Sequence, residues 1–121
     1  GALNKNITAV SAQNPALCDH AGFKYGRSPG WPRVYLKGGS DKEKIIKMAS
    51  YFDGVNFARK LECPVLLTVG FVDNICSPSS VYAAYNSVKS SKEIVNMPGV
   101  AHAYPDSYHR IVTDWITKHL K

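Results

Sequence analysis

Three stretches of the chain have the hydrophobic pattern of β-strands. The clearest is PVLLTVGFV, residues 64–72, a largely apolar run that is typical of a strand buried on both faces. Residues 7–12 form a shorter β-rich run that ends at Asn14-Pro15, and KEIVNM, residues 92–97, is the third candidate. The pattern therefore predicts three strands.

Helical patterns lie between and after these strands. Pro78 suits the first position of a helix, where its missing N–H costs nothing, and we expect the Ser77 side chain to cap that helix. Two shorter helices are predicted to begin after Ser40-Asp41 and after Asp53, the second as GVNFARKL. The last segment has one apolar stripe at helical spacing, formed by Tyr108, Ile111, Val112, Trp115 and His119.

The resulting order is strand, loop with helices, strand, helix, strand, helix. Such alternation is typical of a parallel sheet flanked by helices, so the sequence predicts an α/β fold. At 121 residues the chain is long enough for one domain with a modest core. We expect a single domain over residues 1–121, with an irregular, partly helical excursion over residues 18–62 and the strand–helix–strand–helix core over residues 63–120.

Composition excludes several classes of protein. The chain is 45% apolar and 20% charged, which is typical of a folded globular protein, and no apolar run approaches the roughly 20 residues of a membrane span. The net charge is +6, but the lysines are scattered and follow no recognition motif, so we expect no nucleic-acid partner. No G-x-G-x-x-G is present, and we expect no cofactor.

The cysteines indicate the redox environment. Cys18, Cys63 and Cys76 form an odd set without a CxxC pair, which argues against a structural zinc site and against a disulfide framework. We therefore expect no bound metal, buried free thiols and a reducing, cytoplasmic location.

Two residues at strand ends carry candidate chemistry. Asp73 follows the second predicted strand directly, and His102 follows the third after a short loop. Functional groups gather at the carboxyl ends of parallel strands, and neighbouring strands lie about 4.8 Å apart, so these side chains can touch. An Asp–His hydrogen bond would fix the imidazole tautomer for general-base catalysis. The alternative is that Asp73 is a turn residue and His102 an ordinary surface residue.

Other polar and aromatic residues are weaker candidates. His20 could pair locally with Asp19, while His109 and His119 are expected to be structural. The aromatic residues that could line a pocket are Trp31, Tyr35 and Tyr104.

Residues 50–102 resemble a known enzyme family. The stretch YFDGVNFARKLECPVLLTVGFVDNICSPSSVYAAYNSVKSSKEI is similar to the acetyl xylan esterase and cephalosporin-C deacetylase family of α/β-hydrolases, in which several of these rare words recur in the same order. The resemblance implies a three-layer partial α/β-hydrolase fold, the C-terminal part of the family's chain, and an acetylated carbohydrate or small acetyl ester as substrate. It gives Asp73 the place of the triad acid and His102 that of the general base.

The chain departs from the family's pattern at two places. Ser77 stands where the family has proline, and Ala103 and Tyr104 follow the histidine where the family has Glu and Gly. The second departure weakens any inference about how the histidine is supported.

The expected nucleophile is missing. Gly26-Arg27-Ser28-Pro29-Gly30 matches the G-x-S-x-G pattern, but Pro29 has no N–H for an oxyanion hole and no β-run precedes Ser28. We therefore expect the triad acid and histidine without their serine, and no activity from this chain alone. A non-catalytic α/β binding module derived from an esterase is the alternative. The strand at residues 7–12 would lack its usual neighbour, which predicts a homo-oligomer formed through that edge.

Overall fold

The computed structural model describes residues 1–37 and 39–120, without the side chains of Tyr35 and Lys37. Its strands are β1 (Val10–Gln13), β2 (Val65–Gly70) and β3 (Lys92–Met97). Its α-helices are α1 (Lys42–Ser50), α2 (Gly54–Ala58), α3 (Pro78–Ser87) and α4 (Asp106–His119). Short 3-10 turns lie at Gly22–Tyr25, Val34–Lys37 and Gly39–Asp41.

The strands form one parallel sheet in the order β1-β2-β3. This confirms the predicted α/β class and the predicted neighbourhood of the second and third strands. α3 connects β2 to β3, and α4 follows β3. The division into residues 18–62 and 63–120 within one domain stays a prediction.

The first strand starts later than the sequence predicts. Residues 7–9 lie outside β1, and the first hydrogen bond to the neighbouring segment joins Val10 N to Pro64 O. Val10 pairs with Val65, so an earlier start would require pairing with Pro64, which has no N–H to donate. β1 therefore covers residues 10–13 instead of 7–12.

β2 is buried on both faces, as its apolar pattern predicts. On one face, Val65 and Leu67 pack with Ala58, Ala84 and Val88 from the α2 and α3 region. On the other face, Leu66 packs against Val112 and Trp115 of α4. Fully burying one such aliphatic side chain stabilises the fold by about 1.5–3 kcal/mol, so these two layers fix the sheet and hold its carboxyl end in place.

Two predicted helix caps have different outcomes. The Asp53 side chain accepts a hydrogen bond from Val55 N at 3.0 Å and so caps α2, although α2 ends at Ala58 and not at Leu61. Ser77 stands at the N-cap position of α3, but its side chain makes no capping bond, so the prediction of a side-chain cap was wrong. Its hydroxyl donates to Ser28 O at 2.7 Å instead, because the 28–29 segment lies against the start of α3.

The cysteines are free, and Cys18 and Cys76 are buried while Cys63 is half-buried. Among the described residues, no helix combines the length and the apolar character needed to cross a membrane.

Candidate active site

The segments that follow β2 and β3 are fastened to each other. Phe71 N donates to Met97 O at 3.0 Å, and Val72 N donates to Val100 O at 3.3 Å. Asp73 N turns back to Gly70 O at 3.2 Å. The first two bonds continue the β2–β3 pairing beyond the sheet. As a result, Asp73 and the loop that carries His102 begin next to each other.

Asp73 and His102 meet at this edge. His102 Nδ1 lies 2.9 Å from Asp73 Oδ2, and the other carboxylate oxygen accepts from Ile75 N at 2.8 Å and from Cys76 N at 2.9 Å. The Asp73 side chain is fully buried, whereas that of His102 is 44% exposed. Both oxygens of the Asp73 carboxylate are thus occupied, one by two backbone N–H groups and the other by the imidazole.

This arrangement determines which imidazole nitrogen is available. Carboxylate oxygens accept hydrogen bonds, so we assign the donor role in this contact to the Nδ1 of His102. In the neutral ring, Nε2 is then the acceptor. The site therefore offers a proton acceptor on a half-exposed ring, with a buried negative charge behind it to stabilise the imidazolium.

An open cleft lies beside the histidine. It is lined by Gln13, Asn14, Ala16, Trp31, Ile75, Cys76 and His102. Trp31 thus lines a pocket, as the sequence suggested. Tyr104 does not line this cleft but contacts its edge: its hydroxyl accepts from the Nε2 of the lining residue Gln13 at 2.6 Å, and its ring packs edge-on against His109. The Tyr35 side chain lies outside the described part of the chain.

Cys76 places a third potential metal-ligand atom next to Asp73 and His102. One ligand atom from each of Asp73, Cys76 and His102 lies within 4.8 Å of the others, a set that could hold a thiophilic divalent cation. Burial raises the pKa of the Cys76 thiol, and the charge of Asp73 raises it further. Because the attacking form of a cysteine is the thiolate, a raised pKa makes this thiol poorly suited to act as a nucleophile.

The remaining histidines lie outside this cleft, and the Nδ1 of His20 is buried with no hydrogen-bond partner among the described residues. Asp19 binds Arg27 through two hydrogen bonds of 2.8 and 2.9 Å, so the predicted His20–Asp19 pair was wrong. His20 is buried, and its backbone N donates to Asp53 Oδ2 at 2.9 Å. The Nδ1 of His119 lies 2.8 Å from Trp115 O at the end of α4.

Sequence reasoning missed Asn14, which it treated only as the end of a strand. The Asn14 side chain contacts both β2 and the loop that carries His102. Its residue type, next to proline, indicates a turn and nothing more, because both partners are distant in sequence.

The chain matches the acetyl xylan esterase (AXE1) family over residues 1–119. It belongs to this family. A curated relative, the acetyl esterase Axe7A of Xylanibacter ruminicola (strain ATCC 19189), is 37% identical over 120 residues, which cover 98% of this chain and 27% of Axe7A.

Solved acetyl xylan esterase structures share the fold. The enzyme from Paenibacillus sp. R4 aligns with a TM-score of 0.83 at 23% identity, over 98% of this chain and 40% of that one. Acetyl xylan esterase 1 from Thermoanaerobacterium sp. JW/SL YS485 aligns with a TM-score of 0.82 at 23% identity, over 99% of this chain and 40% of that one. This acetyl xylan esterase family chain thus spans about a quarter of the curated relative and two fifths of these structures.

Proposed function

We propose that Asp73 and His102 are the acid and the general base of a serine-esterase triad that removes acetyl groups from carbohydrates. The observation that carries this proposal is the 2.9 Å contact between His102 Nδ1 and Asp73 Oδ2 at the carboxyl ends of adjacent parallel strands. Membership of the acetyl xylan esterase family supports the choice of substrate class.

In this mechanism the histidine transfers a proton in each of two steps, from serine to the sugar oxygen and then from water to serine. Nε2 takes the proton of a serine hydroxyl while the serine oxygen attacks the acetyl carbonyl, and Asp73 stabilises the imidazolium. The imidazolium then returns the proton to the departing sugar oxygen, which leaves an acetyl-serine. A water molecule repeats the cycle, releasing acetate and restoring the serine.

We further propose that the serine comes from outside this chain. Ser28 is exposed in a loop, and in the described part of the chain no strand leads directly into it and no helix begins directly after it. Pro29 cannot donate to an oxyanion. The raised pKa of Cys76 also disfavours a thiol substitute. In this proposal the chain supplies the acid and the general base of the triad, and the rest of a longer esterase supplies the serine.

This predicts that the isolated chain does not turn over a chromogenic acetyl ester. Without a nucleophile and an oxyanion hole, little remains beyond the buffer-catalysed rate. The assay compares the wild type with Asp73→Asn and His102→Ala, and all three should release product at the rate of buffer alone. Turnover in the wild type that disappears in both variants would show that a nucleophile is present.

A non-catalytic binding module is the second candidate function. Ala103 stands beside the histidine in place of the family's acidic residue, and the chain has no credible nucleophile elbow. Binding of acetylated xylooligosaccharides by the chain, combined with failure of a completed hybrid esterase to hydrolyse them, would favour this candidate.

We also propose that the chain self-associates through β1. Among the described residues, β1 pairs only with β2, so its other edge presents unpaired backbone groups. A second copy that adds its own β1 would satisfy them, most simply in a twofold dimer.

A further inference from the structure

Asn14 contacts both the end of β2 and the loop that carries His102. It follows β1 directly and is buried, at 8% exposure. Its φ of 41° lies in the left-handed region, which asparagine tolerates better than most residues. Its backbone N donates to Thr68 O at 3.2 Å, which extends the β1–β2 pairing by one residue.

The Asn14 side chain joins two further segments. Its Oδ1 accepts from the backbone N of Gly70, the last residue of β2, at 3.2 Å. Its Nδ2 donates to Ala103 O, the residue after His102, at 3.4 Å. One amide thus uses its acceptor on β2 and its donor on the histidine loop, a pairing that neither a carboxylate nor an apolar side chain can reproduce.

The histidine loop is held from both sides of His102. Before the histidine, Val100 O accepts from Val72 N, and the backbone at 100–101 lies directly on Gly70. An added Cβ at Gly70 would lie 2.7 Å from Ala101 O and closer still to Val100 O. After the histidine, the bond from Asn14 to Ala103 O provides the second anchor.

We infer that Asn14 is a positioning residue that holds the His102 loop in the geometry needed for the Asp73–His102 hydrogen bond. The inference rests on the proposed function, because it assigns Asn14 a role in keeping the general base oriented. The His102 ring is half-exposed, so the ring itself is restrained by few contacts and its loop anchors determine its orientation. Loss of the Ala103 anchor would let the loop open more often and would expose the Nδ1 proton to water.

The test is ¹⁵N NMR of the histidine rings in the wild type, in Asn14→Gly and in Asn14→Asp. Glycine keeps the left-handed backbone at no steric cost and removes only the side chain. We expect exchange of the His102 ring N–H with water to be about fivefold faster in Asn14→Gly, since a hydrogen bond of typical net strength is lost. Asn14→Asp keeps the acceptor for Gly70 N–H, so the Gly70 amide should stay protected while the amide signals of residues 100–104 broaden.

Asn96→Ala is the matched control. It removes the Asn96 Oδ1 that accepts from the Tyr82 hydroxyl at 2.8 Å, on an exposed residue of β3, and should leave ring exchange unchanged. Unchanged ring exchange in Asn14→Gly, or equal acceleration in Asn96→Ala, would overturn the inference. If Asn14→Gly does not fold, unchanged signals of residues 100–104 in Asn14→Asp would overturn it. Failure of the proposed function is seen separately, as activity of a hybrid esterase that does not depend on Asp73.

Discussion

Two buried carboxylates illustrate how much a single residue's surroundings decide. Asp73 receives two backbone N–H groups and a histidine. Asp53 instead receives three backbone N–H groups, from Asp19, His20 and Val55. The first leaves one oxygen for an imidazole, the arrangement on which its proposed catalytic role rests, whereas the second joins the 19–20 segment to the start of α2.

Asp53→Ala should therefore be strongly destabilising. It leaves three N–H donors without their acceptor, two of them in a segment that has no regular secondary structure, and we expect a loss of about 3 kcal/mol in the free energy of unfolding. Urea denaturation measures it. Asp41→Ala is the control, because exposed Asp41 holds the N-cap position of α1 without a side-chain capping bond. Equal losses in both variants would contradict the role given to Asp53.

At the scale of single residues, the sequence predicts contacts that follow from local pattern or from strand order, and it misses contacts between distant loops. Asp53 caps a helix two residues away, and Asp73 and His102 follow strands whose neighbourhood is dictated by the fold, so both were predictable. The bond from Ser77 to Ser28 O and those from Asn14 to Gly70 and Ala103 depend on how loops pass one another. The local residue pattern does not predict which loops lie next to each other.

At the scale of elements, the apolar pattern fixes which segments are strands, and backbone chemistry fixes where they end. KEIVNM matches β3 residue for residue. The predicted start of β1 was three residues too early, because the first possible pairing depends on Pro64, which lies just before β2. The start of a strand depends on the segment with which it pairs, so the pattern of one segment alone does not predict it.

The contact between Gly70 and the histidine loop gives a prediction at this scale. Gly70→Ala introduces a Cβ against the backbone oxygens of Val100 and Ala101, which cannot rotate away. We expect a loss of about 1–3 kcal/mol in the free energy of unfolding, with the loop displaced from Asp73. Gly99→Ala is the control, since a Cβ there meets nothing within 4 Å. Denaturation curves that coincide for the two variants would show that the loop does not lie on β2.

At the scale of the whole molecule, the free edge of β1 predicts self-association. In a parallel strand alternate residues point their backbone groups to opposite sides, and Val10 N and Asn14 N face β2. Ser11 therefore directs its N–H to the free edge, and its buried hydroxyl has no hydrogen-bond partner among the described residues.

Ser11→Pro should block that edge without breaking the β1–β2 ladder, because proline is tolerated where the N–H faces away from the sheet. Sedimentation velocity should show a concentration-dependent dimer in the wild type and a monomer in Ser11→Pro. A wild type that stays monomeric at high concentration, or a dimer that Ser11→Pro leaves intact, would contradict association through β1.

The most direct test of the account is a hybrid Axe7A in which this chain replaces the 120 matching residues. The remainder of Axe7A then supplies whatever nucleophile the whole esterase uses. We predict release of acetate from acetylated xylan, with kcat lowered about 10⁴-fold by Asp73→Asn and unchanged by Asp106→Asn, an exposed carboxylate at the start of α4. A folded hybrid that keeps its full kcat with Asp73→Asn or His102→Ala would contradict the claim that these two residues drive the reaction.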